Sequence, residues 1–169
     1  VLPAQGAASL TAVFAPKAHS GLALHAASAS SGLRTYALFS SVAALFGGAG
    51  QANYSAANAC LDTLASYRRG AALRGVSVQW GAWAELGMAA RGSTQMAARE
   101  AASGFARIGL AQGLMHLSSA VRHGAPPVVG VVPVTWSRFL VGAMSTPAFL
   151  SAFAPAHRVA AGSKAAAGG

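Results

Sequence analysis

The chain has 169 residues, 54% of them apolar, and carries twelve Lys and Arg against three acids for a formal charge of +9. That length suits one compact domain, and with no unbroken apolar run of about 20 residues and no basic start followed by an apolar stretch, neither a membrane span nor a leader is expected. One cysteine, Cys60, excludes an internal disulfide, the five histidines show no pair at metal-ligand spacing, and no G-x-S-x-G elbow occurs, so metal and serine-hydrolase chemistry fall away.

The basic residues are spread singly from Lys17 to Lys164, Arg68 and Arg69 being the one adjacent pair, and no aromatic residues interleave with them. Nucleic acid is therefore not an expected partner. A nicotinamide dinucleotide phosphate or a phosphopantetheine-linked substrate would also welcome positive charge, and composition does not choose between them.

Apolar residues over 8–28, with Pro16 early and Lys17 beside it, predict one helix with a kink. Thr35–Ser40, TYALFS, reads as a buried strand that runs into Ser41, Val42 and a glycine cluster at Gly47, Gly48 and Gly50. From Ala52 to Arg69 the Ala-rich sequence predicts a helix, with Arg68 and Arg69 at its negative end and Gly70 as its stop. Val76–Trp80 predicts a second strand, Gly113–Arg122 a helix and Pro127–Val132 a third strand. Arg91–Gly104 is polar with weak periodicity, 137–153 suggests a short helix interrupted near Pro147, and Ala154–Gly169 reads as an Ala/Gly/Ser linker.

Strand, helix and strand in alternation imply a parallel sheet, here the C-terminal half of a doubly wound α/β fold. The opening strand, Gly-rich turn and helix that hold a pyrophosphate in such folds are absent, because FGGAGQANY lacks the G-x-G-x-x-G spacing. Half a sheet would also leave an edge strand unpaired.

Tyr54 and Asn58 lie four apart on the predicted helix and share a face, while Ser41 ends the preceding strand at the sheet edge where ligands bind in these folds. Ser40 is the alternative hydroxyl, one residue earlier on the opposite pleat. If the helix around Lys17 packs beside that strand, a phenol, a hydroxyl, an amide and an ammonium converge, a set suited to carbonyl reduction. Hydride delivery to a carbonyl carbon leaves charge on oxygen, which must be hydrogen-bonded and protonated. Tyr54 would give the proton, and a nearby cation such as Lys17 eases proton loss from a phenol, whose ordinary pKa is about 10. Ser41 would orient the oxygen, and Asn58 would hold a water or the ammonium in a relay. The hydride requires a cofactor.

FSSVAALFGGAGQANYSAANACLDTLASYRR resembles the active-site segment of polyketide synthase ketoreductases and the related fatty acid synthase ketoreductase, members of the short-chain dehydrogenase superfamily. SVQWGAWAELGMA is similar to the strand and turn that border the nicotinamide, APKAHSGLALH to the Lys-bearing helix, and VPVTWSRF to the closing segment, with Val134 and Thr135 where an acid often precedes Trp136. The resemblance implies catalytic roles for Lys17, Ser41, Tyr54 and Asn58, and cofactor contacts from Tyr54, Lys17, Gly81 and Trp83. It implies NADPH as cofactor, an acyl carrier protein bearing a phosphopantetheine-linked β-ketoacyl thioester as partner, other synthase domains as neighbours, and a cytoplasmic or plastid address. Residues 1–140 would be the C-terminal portion of the domain without its nucleotide fingerprint, and 141–169 a helix and linker tail. Phe46 and Gln51 stand where Trp or His would mark product handedness, which leaves the stereochemistry open. The alternative to an enzyme segment is a noncatalytic remnant that keeps the fold as an interaction module.

Overall fold

The computed structural model describes residues 5–84, 102–140 and 146–154. The expectations for 85–101, which include most of the Arg91–Gly104 segment, and for the tail beyond Ala154 fall outside these residues. Three parallel strands, β1 (Ala37–Ser41), β2 (Val76–Trp80) and β3 (Val128–Val131), form a sheet in the order β1-β2-β3, with Ala37 opposite Val76 and Ser77 opposite Val128.

The chain enters through α1 (Ala7–Phe14), a π-helical turn (Ala15–His19) and α2 (Ser20–Ser28), one continuous rod where the sequence predicts a kinked helix. Pro16 explains the π turn. It has no N–H to give to the preceding turn, and the Ser20 amide and hydroxyl both bond back five residues to the Ala15 carbonyl. After β1, the short helix α3 (Ala43–Phe46) and the turn at Gly47 and Gly50, whose φ angles of 72° and 75° favour glycine, lead to α4 (Ala52–Gly70).

The helix α4 lies on one face of the sheet. Leu61, Leu64 and Ala65 pack with Tyr36 and Leu38, each buried leucine contributing about 1.5–3 kcal/mol. The only carboxylate side chain among the described residues, Asp62, sits between helix and sheet. It accepts hydrogen bonds from Ser77 Oγ at 2.6 Å and Gln79 Nε2 at 2.8 Å, which fixes the register of α4 over β2. The stop differs from expectation: Gly70 is still helical, and the left-handed residue is Ala72, with φ of 58°. Leu73 N–H reaches the Arg68 carbonyl there and closes the end of the helix.

The opposite face of β2 meets α5 (Leu110–Ala120). Val76, Val78 and Trp80 form a second core with Ile108, Ala120 and Val131. The predicted helix over 137–153 resolves into α6 (Trp136–Phe139) and a 3-10 turn (Ala148–Phe153), joined by the stacked rings of Trp136 and Phe153 at 4.1 Å. Beyond the C-terminal ends of the strands, Phe46 of α3 packs on Phe105 and Phe139 at 5.4 and 5.1 Å, which ties the β1–α4 connection to the segment after β3.

Candidate active site

At the C-terminal edge of β1 the π turn brings Lys17 toward α4. Its Nζ lies 5.5 Å from the centroid of the Tyr54 ring and donates a 3.0 Å hydrogen bond to the Phe39 carbonyl. That carbonyl is on the open edge of the sheet, because it is the even-numbered residues of β1 that bond to β2: Val76 N–H donates to Tyr36 O, and Val42 N–H to Trp80 O. The ammonium therefore answers an unpaired strand acceptor while facing an aromatic ring within cation–π range.

Tyr54 is half-buried in the first turn of α4, whose start is set by Asn53: its Oδ1 accepts from Tyr54 N–H at 2.8 Å and its Nδ2 donates to Ser9 O at 3.3 Å. One turn on, Asn58 is fully buried rather than presented to a cleft, the difference from the sequence expectation being that its amide folds back on the helix. Asn58 Nδ2 donates to Tyr54 O at 2.8 Å, while its Oδ1 is buried with no partner, as is Ser55 Oγ. A buried acceptor left open is uncommon and costly, and a carboxamide so placed can take a proton donor, whether water or ammonium.

The two serines separate by pleat. Ser40 is buried and donates to Asn58 O at 3.2 Å, so its hydroxyl is spent on joining β1 to α4. Ser41 is half-exposed, and its Oγ accepts from Ala43 N–H at 3.2 Å at the head of α3. That bond uses a lone pair and leaves the hydroxyl proton available for donation.

Gly81 and Trp83 have sufficient reasons in packing alone. A Cβ on Gly81 would meet Val132 Cγ2 at 2.8 Å, and its N–H donates to Val131 O at 2.8 Å, so glycine is required by the approach of β3. The Trp83 ring lies over Gly113 of α5, where any side chain would collide with it, and meets Trp80 in a tilted contact at 4.9 Å between ring centroids. The structure thus brings Lys17, Tyr54 and Asn58 to one end of α4 and puts Ser41 at the strand edge before it. It sets Gly81 and Trp83 in the β2–β3–α5 packing. Among the described residues no group of His, Cys, Asp and Glu is placed to hold a metal, and no helix is long and apolar enough to cross a membrane.

Sequence reasoning missed Asn53 and Asp62, which fix where α4 starts and how it sits. The available signal was spacing, since Asp62 follows Tyr54 and Asn58 at successive steps of four.

Residues 1–85 match the KR domain family. Polyketide synthase GfsB of Streptomyces halstedii is 39% identical over 173 residues, covering 98% of this chain and 3% of that synthase. The phthioceranic/hydroxyphthioceranic acid synthase of Mycobacterium bovis is 33% identical over 146 residues, covering 85% of this chain and 7% of its own length. Among solved structures, PlmKR1, the ketoreductase from the first module of phoslactomycin biosynthesis in Streptomyces sp. HK803, superposes with a TM-score of 0.78 at 33% identity, over 90% of this chain and 35% of that one. An A-type ketoreductase from a modular polyketide synthase gives 0.72 at 33% identity, over 78% and 27%. The chain thus spans about a third of the solved ketoreductases it matches and a few per cent of the synthases.

Proposed function

This chain belongs to the KR domain family, the ketoreductases of modular polyketide synthases, and we propose that residues 1–140 are the catalytic C-terminal portion of such a domain, with 141–169 leading out of it. The proposed reaction is NADPH-dependent reduction of a β-ketoacyl thioester, carried on the phosphopantetheine of an acyl carrier protein, to the β-hydroxyacyl thioester. The observation that carries it is the Lys17 ammonium 5.5 Å from the Tyr54 ring at the sheet edge, one helical turn from the open Asn58 Oδ1.

The donors suit the nicotinamide end of the cofactor: Lys17 and Tyr54 offer an ammonium and a phenol to ribose hydroxyls. The phosphates find no cradle among the described residues, since the turn between β1 and α4 lacks the fingerprint, and the proposal assigns that part of the site to the share of the ketoreductase domain that this chain does not span. NADPH, when bound, would supply the hydride for the β-carbonyl carbon. As the carbonyl electron pair moves onto oxygen, Ser41 donates its free hydroxyl proton in a hydrogen bond and Tyr54 transfers its phenolic proton to that oxygen. Lys17 balances the negative charge left on the Tyr54 oxygen, and Asn58 Oδ1 holds the water through which the phenol is reprotonated.

In a complete ketoreductase carrying this segment, Tyr54→Phe is expected to lower turnover of a β-ketoacyl thioester by about 10²–10⁴-fold with thermal stability unchanged. NADPH consumption followed at 340 nm measures it. Turnover retained by Tyr54→Phe would remove the assigned proton donor. A complete domain with no turnover at all would favour the noncatalytic remnant.

A further inference from the structure

At the opposite, N-terminal end of the strands, four arginines line one shallow cleft. Arg34 precedes β1, Arg69 lies in the last turn of α4, Arg74 precedes β2 and Arg122 follows α5, with Tyr36 and Val76 at the floor. Arg69 is half-buried and donates to Ala125 O at 3.0 Å. Arg34, Arg74 and Arg122 are exposed, and their guanidiniums have no partner among the described residues.

The local compensation for these charges is small. The C-termini of α4 and α5 both point here, and each supplies about half a negative charge. Against four guanidiniums that leaves an excess of about three positive charges. Asp62, the one carboxylate side chain among the described residues, is engaged by Ser77 and Gln79. Among the described residues, no carboxylate answers these charges.

We infer that this cleft docks a carboxylate-rich segment of protein from the synthase polypeptide outside these 169 residues. Helix C-termini present carbonyls rather than N–H groups, so a small phosphate would find no backbone cradle and recognition falls to the guanidinium forks, which pair bidentately with carboxylates. A second copy of the chain carries the same +9 charge and is repelled. Nucleic acid would lack a stacking platform, because the Tyr36 ring is buried beneath Arg68. The site lies across the sheet from Tyr54, so a neighbour bound there leaves the catalytic rim open. The polypeptide context rests on the proposed function; the cleft itself does not depend on Tyr54 being catalytic.

Fluorescence anisotropy of a labelled octaglutamate peptide with the 169-residue chain at low ionic strength tests the inference. R34S/R74S/R122S is expected to weaken binding at least tenfold, and R138S/R158S/K164S, which removes the same charge elsewhere in the sequence, less than threefold. R122S alone, just past the end of α5, is expected to lose about threefold and guards against a triple variant that unfolds. Equal losses in the two triple variants would show that the peptide senses net charge only and would overturn the inference. So would displacement of the peptide by micromolar inorganic pyrophosphate, or tighter binding of a single-stranded oligonucleotide through the same arginines.

Discussion

The two ends of α4 treat buried polar groups in opposite ways. At its start, Asn58 Oδ1 and Ser55 Oγ are buried without partners beside Tyr54. At its end, Arg68 is 1% exposed and well satisfied: Nε donates to Arg74 O at 2.7 Å, Nη1 bonds His25 Nδ1 at 2.8 Å, and the guanidinium lies 3.7 Å from the centroid of the Tyr36 ring. The Tyr36 hydroxyl in turn donates to Gly21 O at 2.8 Å. A cation so enclosed holds α2, β1 and the α4–β2 connection together, whereas Asn58 Oδ1 is buried without a partner. Saturated hydrogen bonding marks the structural end of the helix, and the proposed function places the chemistry at the end where buried acceptors are unpaired.

Removing the saturated end sharpens this contrast most. Arg68→Ala leaves Arg74 O without its donor and deletes the packing on Tyr36, with an expected loss of about 2–4 kcal/mol in urea unfolding. Asp62→Ala strands the Ser77 hydroxyl and the Gln79 amide, both buried, at an expected cost of about 1–3 kcal/mol, and frees α4 to shift on the sheet. Turnover should then fall further than the folded fraction, because Tyr54 rides on that helix.

The smallest effect depends on pH. Burial raises the Tyr36 phenol above its ordinary value of 10.0, against a lowering pull from Arg68. A folded-state value above the unfolded one means that the folded protein holds this proton more tightly, so the contribution is complete below about pH 10 and is lost as pH rises through the folded value. Tyr36→Phe should cost about 1 kcal/mol at neutral pH and flatten the decline in melting temperature above pH 10. A decline as steep as in the parent would assign it to other groups.

The same contrast explains what the sequence disclosed. Strand, helix and strand over 35–80 were legible because Leu38, Val76 and Val78 face the core at strand spacing, and Ala-rich 52–69 has few ways to be anything but a helix. The roles proposed for Lys17, Ser41, Tyr54 and Asn58 come from motif resemblance and spacing, and the approach of Lys17 to the Tyr54 ring is in keeping with them. The π turn was only half legible: Pro16 announces a break, but the five-residue bond from Ser20 to Ala15 depends on how the rod packs. Asn58 reads from its spacing as a partner of Tyr54 pointing into a cleft, and the crossing of β1 beneath α4 buries it. Arg68 looks like a dipole-capping surface residue, while its enclosure by His25, 43 positions away, is tertiary. The Ala72 stop is likewise invisible in sequence, where Gly70 is the natural choice.

The division of α4 into a chemical and a structural end is tested most directly by Asn58→Leu, measured for both melting temperature and β-ketoacyl thioester turnover in a complete ketoreductase. An open buried acceptor replaced by an apolar group of similar size should leave stability equal or raise it by up to about 1 kcal/mol, while turnover drops at least tenfold through loss of the relay. Unchanged turnover, or turnover lost only in step with a lower melting temperature, would contradict the account.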